Sequence, residues 1–278
     1  MIGLVTDSNS QLPAELAARY GVEVVPLTVT VDGVAHLEGV DLDADGFYAR
    51  FAGGRTPVVS TSQPSPGQFV DVYQRLADAG ATEILSIHIG SAISGTLNSA
   101  RLAAQGSAVP VRLVDTGTAS FGVACCVWEA GEALARGAGV EEAASVAEQL
   151  AATVGNVFIV RALDLARAGG RLAQGVDAGT VDAIPVLSLV GGEITVVGTA
   201  ATTAEAADVM AGRVTAAGPR LRVAVGVADA AAAAVAGAIE DRLQGDERVL
   251  EVVRYRVGPS VGVHSGPGTA GAFFYPAS

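Results

Sequence analysis

Through the first half of the chain, short apolar runs alternate with stretches whose apolar residues recur every three or four positions. "MIGLVTD" (1–7), "EILSIHI" (83–89) and "VRLVD" (111–115) have the length and aliphatic content of buried strands. Between them, "LPAELAARYG" (12–21) carries Pro13 where a helix starts and Gly21 where it ends. "GQFVDVYQRLADAG" (67–80) sets Phe69, Tyr73 and Leu76 on one helical face. "GTLNSARLAAQ" (95–105) predicts a further helix, and two more are expected between Ser120 and Val154. "VEVVPLTVTV" (22–31) and "VAHLEG" (34–39) read as strands around Asp32-Gly33, a strong hairpin dipeptide. Strands alternating with helices favour a mostly parallel α/β sheet with helices on its faces.

The second half has another character. Apolar runs come closer together: "NVFIVRAL" (156–163), "IPVLSLV" (184–190), "EITVVG" (193–198), "LRVAVGVAD" (221–229), "VLEVVRYRV" (249–257) and "SVGVHSG" (260–266). Helices are expected at Ala204–Ala217 and Ala230–Leu243. Gly191-Gly192 between two short strands predicts a hairpin, hence a mixed or antiparallel sheet. Two α/β domains are therefore expected, 1–155 and 156–278.

Composition narrows the chemistry. Half of the residues are apolar but only 5% are aromatic, so the core is expected to be built from small aliphatics. No apolar stretch reaches the ~20 residues of a membrane span, and the N-terminal stretch lacks the basic region and cleavage site of a secretory signal, which predicts a cytoplasmic protein. Every basic side chain other than histidine is arginine; without lysine there is no P-loop lysine and no Schiff base. A net charge of −12 argues against nucleic acid and against an extended basic surface for anionic lipid. Cys125 and Cys126 are helical neighbours that diverge by about 100°, a poor geometry for a disulfide or a metal pincer, and read as small buried hydrophobes.

Ligands of parallel α/β sheets bind beyond the carboxyl ends of the strands. Asp7-Ser8, Ser91 to Thr96 and Asp115-Thr116 all fall at such ends, and "TPVVSTSQPSPGQF" (56–69) offers a fourth wall. A helix starting near Ser94 points free N–H groups and a positive dipole end outward, which suits an anion, although an N-cap serine closing its own helix explains the same residues. Among three histidines, His36 and His88 read as ordinary partly buried residues; His264, before the fixed turn "SGPG", is the functional candidate. Asp41, Asp43, Asp45 and Gly46 open like an EF-hand loop, but position 12 is Ala52, so a solvated loop and helix entry is expected; no zinc spacing occurs, and no metal is expected.

Two classes of function remain open on these residues. In a serine hydrolase, Ser94 would be the nucleophile, His264 the base and Asp7 or Asp115 the orienter, although no G-x-S-x-G elbow occurs. A module binding an apolar acid would bury the chain among aliphatics and hold the carboxylate with neutral donors.

In order, "VTDSNSQLP" (5–13), "VVPLTVTVDG" (24–33), "STSQPSPGQF" (60–69), "SAISGTLNSA" (91–100), "VDTGTASFGVA" (114–124), "ARAGGRL" (166–172) and "VHSGPGTAGAFF" (263–274) resemble the DegV family of bacterial fatty-acid-binding proteins, FakB type. The resemblance implies a two-domain α/β fold enclosing a long-chain fatty acid between the domains, with no other cofactor and no enzymatic activity of its own. By position it implies that Thr61 with Ser62, Ser94 with the Gly95 backbone, and His264 hold the carboxyl group. Arg171 falls in the family's Gly-Arg turn, structural or facing a partner. The implied role is a carrier that presents the acid to a separate fatty acid kinase for acyl-phosphate formation, with room for transient membrane contact. Two positions depart: Ile184 and Ala201 stand where members often carry basic residues, which touches kinase coupling more than lipid binding. A Ser-dependent lipid ester hydrolase and a lipid sensor without kinase coupling are the alternatives.

Overall fold

A computed structural model describes residues 1–161, 183–191 and 193–277. The first apolar runs form β1 (Ile2–Asp7), β2 (Val22–Val25), β3 (Thr28–Val31), β4 (Val34–Leu37), β5 (Val59–Ser62), β6 (Glu83–His88) and β7 (Val111–Asp115). Interspersed are α1 (Ala14–Tyr20), α2 (Ala44–Tyr48), α3 (Pro66–Asp78), α4 (Thr96–Ala104), α5 (Phe121–Ala135) and α6 (Val140–Ala151). Then come β8 (Gly155–Ile159), β9 (Ile184–Val190), β10 (Glu193–Ala200), β11 (Leu221–Val227), β12 (Val249–Arg256) and β13 (Ala270–Pro276). The later helices are α7 (Thr203–Thr215), α8 (Ala233–Leu243) and α9 (Pro259–Ser265). The chain divides into two units: residues 1–29, 35–41 and 61–152, and residues 30–34, 42–60 and 153–278.

In the first unit the sheet order is β2-β1-β6-β7, with every neighbour parallel. The two-residue period of a strand sorts its side chains. Leu4, Leu85 and Ile87 pack with Val123, Cys126, Val127, Ala143 and Ala147 of α5 and α6. Val5 and Ile84 pack with Phe69, Val72, Tyr73 and Leu76 of α3 and Ala100 and Ala103 of α4. Both faces are covered, which is why these strands read as continuous apolar runs. Deleting the Leu85 or Ile87 side chain to Ala would remove about 2–5 kcal/mol of stability.

The six-stranded sheet of the second unit has the order β10-β9-β8-β13-β11-β12. Only β11 and β12 pair in parallel; the other neighbours are antiparallel, the mixed sheet expected. Two segments differ from the sequence reading. "SVGVHSG" alternates like a strand yet forms the short helix α9, framed by an extended Gly258, by Pro259 at its first turn and by Gly266 at φ 72°. A side chain at Gly262 would stand 2.6 Å from the Phe47 ring, so the glycine lets α9 sit directly on α2. "AGAFFYP" is the inner strand β13, buried from Ala270 to Tyr275. The third sheet, β4-β3-β5, includes the expected turn at Asp32 (φ 49°) and Gly33 (φ 83°).

Helix α5 is buried on all sides from Phe121 to Trp128, so both cysteines are fully enclosed despite their divergence around the helix. Burial raises the Cys126 thiol from 9.0 to about 12 and the Tyr73 phenol from 10.0 to about 12, and lifts Cys125 well above 9.0. Once unfolded, these groups ionise at their ordinary values, so alkali stabilises the unfolded chain first. Stability from this source is complete below pH 9 and declines as pH rises from 9 towards 12. Thermal melts across that range are expected to show this decline, with a shallower slope in Cys126→Ala. At pH 8 the native thiols should resist Ellman's reagent until the chain unfolds.

Candidate functional site

Three loops leave the carboxyl ends of β1, β6 and β7 in the first unit, and polar side chains tie them together. At the end of β1, Asp7 Oδ1 accepts the Asn9 N–H at 3.1 Å, while its Oδ2 faces His88 Nδ1 at 2.9 Å and accepts the Ile89 N–H at 3.1 Å. Ser8 Oγ accepts the Leu27 N–H at 2.9 Å and donates to Glu38 at 2.5 Å. Asn9 Oδ1 accepts the Ser120 N–H at 2.9 Å. The acceptor holds Ser120 at φ 56°, ψ −144°, a strained conformation for a residue with a side chain, at the entry to α5.

The loop after β6 is fixed just as closely. The Gly90 N–H donates to the Thr118 carbonyl at 2.8 Å, and the Gly90 carbonyl accepts the N–H groups of Ile93 at 2.9 Å and Ser94 at 3.0 Å. The Ser91 N–H and hydroxyl both donate to Asp115, the former at 3.0 Å. The His88 carbonyl accepts the Thr116 hydroxyl at 2.8 Å. Burial opposes ionisation of Asp115, but the Ser91 hydroxyl and N–H, the Gly117 N–H and the Arg101 charge outweigh it and hold its pKa below 3.8.

Ser94 stands one residue before the N-cap of α4, which is Gly95. Its Oγ accepts the Thr96 N–H at 3.3 Å and lies 2.9 Å from Thr96 Oγ1. The serine thus does part of a cap's work from the preceding position. Thr96 is fully buried, and Ser94 is its hydroxyl's partner among the described residues. With the Thr96 hydroxyl donating, Ser94 Oγ accepts twice and keeps its own proton for a third group. Ser94 is half-buried and Gly95 exposed, so that proton has room to meet a ligand.

Thr61 and Ser62 end β5 in the same unit; Thr61 is half-buried and Ser62 exposed. The next residue, Gln63, brings this segment to the Ser94 turn: a Cβ on Gly95 would lie 3.2 Å from Gln63 Cδ and Nε2. His264, half-buried in the last turn of α9, belongs to the second unit. The turn after it is set by the Thr269 hydroxyl, which donates to the Ser265 and Gly266 carbonyls at 3.0 and 2.9 Å. Arg171 lies outside the described residues. Ile184 opens β9 half-buried, and Ala201 is exposed, its N–H donating to Glu205 at 2.8 Å. Asp43 caps α2 through the Gly46 N–H at 2.7 Å and Asp45 pairs with Arg256 at 2.7 Å; no metal-holding cluster occurs among the described residues.

Asp7 and Asp115, the orienters considered for a hydrolase, are engaged with His88 and Ser91 within the first unit. The residues missed by sequence reading are Gln63, Asn9, Ser120 and His88. Asn9 and Ser120 are 111 positions apart, and no spacing pattern links them.

Gly90 is the tightest point of this crest. A Cβ there would stand 2.8 Å from the Gly117 backbone, which has nowhere to go. Gly90→Ala is expected to cost about 1–3 kcal/mol in denaturant titrations. Gly95→Ala displaces only the flexible end of Gln63 and should cost less than about 0.5 kcal/mol.

Comparison with known proteins adds an independent line. A family model described as an uncharacterised protein of the DegV family matches residues 1–277. A DegV domain-containing protein of Streptomyces coelicolor is 36% identical, over 97% of this chain and 96% of the relative. Among solved structures, a DegV family protein of Thermus thermophilus described by its fatty acid binding is 33% identical with a TM-score of 0.88, covering 99% of both chains. DegV of Bacillus subtilis, described as a fatty acid binding protein, is 26% identical with a TM-score of 0.87, again over 99% of both chains.

Proposed function

The chain belongs to the DegV family, and from that membership we propose that it binds a long-chain fatty acid and holds the carboxyl group with neutral donors. The observation that carries the reading is the half-buried Ser94 hydroxyl at the turn after β6, which accepts the Thr96 N–H and shares a hydrogen bond with the Thr96 hydroxyl. Thr61, Ser62, the Gly95 backbone and His264 are the proposed companions. In this reading Ser94 is a ligand donor and not a nucleophile, and the protein is a carrier.

The energetics favour an amphiphile. Burying ~15 methylene and methyl carbons gains about 12 kcal/mol gross, at roughly 0.8 kcal/mol each, from which ordering of the chain and loss of free motion subtract. A carboxylate stripped of water would forfeit much of this gain unless donors replace its hydration. Presentation of the bound acid to a partner kinase is the second half of the proposal. Ile184 and Ala201 contribute no positive charge to such docking, so the kinase would have to engage other surfaces.

Organic extraction of the purified protein followed by mass spectrometry is expected to release a stoichiometric C14–C18 acid. An empty protein that also fails to take up added stearic acid would refute the carrier. Ser94→Ala should weaken stearic acid binding about 10- to 150-fold, the loss of one hydrogen bond to a charged group at about 1.5–3 kcal/mol. Ester turnover that disappears in Ser94→Ala and His264→Ala would instead establish the hydrolase. Acyl phosphate formed when a fatty acid kinase and ATP are added tests the coupling.

A further inference from the structure

Behind the Ser94 turn, the first unit holds four polar side chains in a line. Tyr73 OH lies 3.0 Å from Ser86 Oγ, Ser86 Oγ 2.6 Å from His88 Nε2, and His88 Nδ1 2.9 Å from Asp7 Oδ2. Ser86, His88 and Asp7 are 0% exposed and Tyr73 is 1% exposed. The strand period accounts for the line: Ser86 and His88 follow Ile84 on the α3 side of β6, where the Phe69 ring meets His88 edge-on at 5.1 Å.

The order Ser–His–Asp is that of a hydrolytic triad, but no reactant reaches a sealed serine whose oxygen is already engaged by Tyr73. One arrangement of the protons satisfies all four groups. With Asp7 accepting, His88 Nδ1 carries a hydrogen, Nε2 accepts from Ser86, and Ser86 accepts from Tyr73. Four buried polar groups are each satisfied, where apolar residues of similar size would pack at least as stably. Their use lies in what they hold.

Asp7 Oδ2, which receives His88, also accepts the Ile89 N–H at 3.1 Å. The next residue, Gly90, receives the Ser94 N–H on its carbonyl at 3.0 Å. We propose that the Asp7–His88 pair, at the end of the Tyr73–Ser86 line, positions Ser94: it fixes the His88–Ile89 peptide, just ahead of the Gly90 carbonyl on which the Ser94 turn folds, and so aims the hydroxyl. His88 and Asp7 are positioning residues. What Ser94 grips rests on the carrier reading above; the control of its loop does not.

Two amides separate this role from general stability. In His88→Asn the side-chain nitrogen takes the place of Nδ1 and keeps Asp7 while abandoning Ser86. In His88→Gln the amide reaches the place of Nε2, where its oxygen accepts from Ser86, and abandons Asp7. Stearic acid affinity is expected to fall about 10- to 100-fold in His88→Gln and less than about threefold in His88→Asn, the range seen when supporting partners of a binding group are removed. Hydrogen exchange at amides 89–96 should accelerate in His88→Gln while the body of α4 stays protected. Equal affinity losses in the two variants that track their melting temperatures would overturn the proposal, as would unchanged exchange in His88→Gln. Should the histidine variants fail to fold, Asp7→Asn puts an amide nitrogen where Oδ2 receives His88 and the Ile89 N–H; faster exchange confined to amides 89–96 supports the proposal, and unchanged exchange overturns it. If the wild-type protein takes up no stearic acid, the carrier reading fails on its own, and the exchange contrast still decides the positioning role.

Discussion

The buried carboxylate of Asp7 is the constraint on which the crest of the first unit depends. A carboxylate taken out of water at the end of β1 must be paired and hydrogen-bonded, or it costs several kcal/mol. Here it accepts from the Asn9 and Ile89 N–H groups and from His88, so one side chain ties the first peptides of the β1 and β6 loops to each other. The β7 loop joins through the His88 carbonyl, which receives Thr116, and through Asp115, which receives Ser91. The loops are therefore set by the sheet's own geometry and not by chance packing at the surface. That rigidity is what a set of weak neutral donors needs if they are to act together on one ligand group.

Legibility in the sequence followed the length and isolation of each pattern. β1, β6 and β7 stood out because a parallel sheet buried on both faces demands continuous apolar runs, and α3 because Phe69, Tyr73 and Leu76 recur at helical spacing. "SVGVHSG" misled because seven residues suffice for either period, and the decision lay with Pro259 upstream and with Phe47, a residue more than two hundred positions away. β13 was not singled out as a strand because Gly271 and the alanines beside it follow the glycine-rich turn at 266–268 and look like its continuation, although neighbours on both sides bury it.

The site was legible in part for the same reason. The Ser94 turn announced itself by hydroxyl residues at the end of a strand. His88 read as an ordinary partly buried residue because its partner stands 81 positions earlier, and only the parallel register of β1 with β6 brings them together. Ser94 was read as a cap within the helix start; Gly95 occupies that position, and the serine supports the first turn from outside it.

The absence of lysine gives the proposed carrier a particular character. At a net charge of −12, the protein's long-range field opposes the approach of any anion, and the crest adds Asp115, whose pKa is held below 3.8. Neutral donors can replace the hydration of a carboxylate without an attractive charge to draw it in. Affinity must then come from the apolar chain, at roughly 0.8 kcal/mol per methylene. A short acid brings the same charge with little to bury, whereas a long one brings enough apolar surface to overcome the field. For the proposed carrier, a preference for long acids over short ones is expected from the charge pattern, before the shape of any enclosure is considered. Neutral donors also spare the ligand the strong ion pair of a buried lysine, which a carrier would have to break at every release.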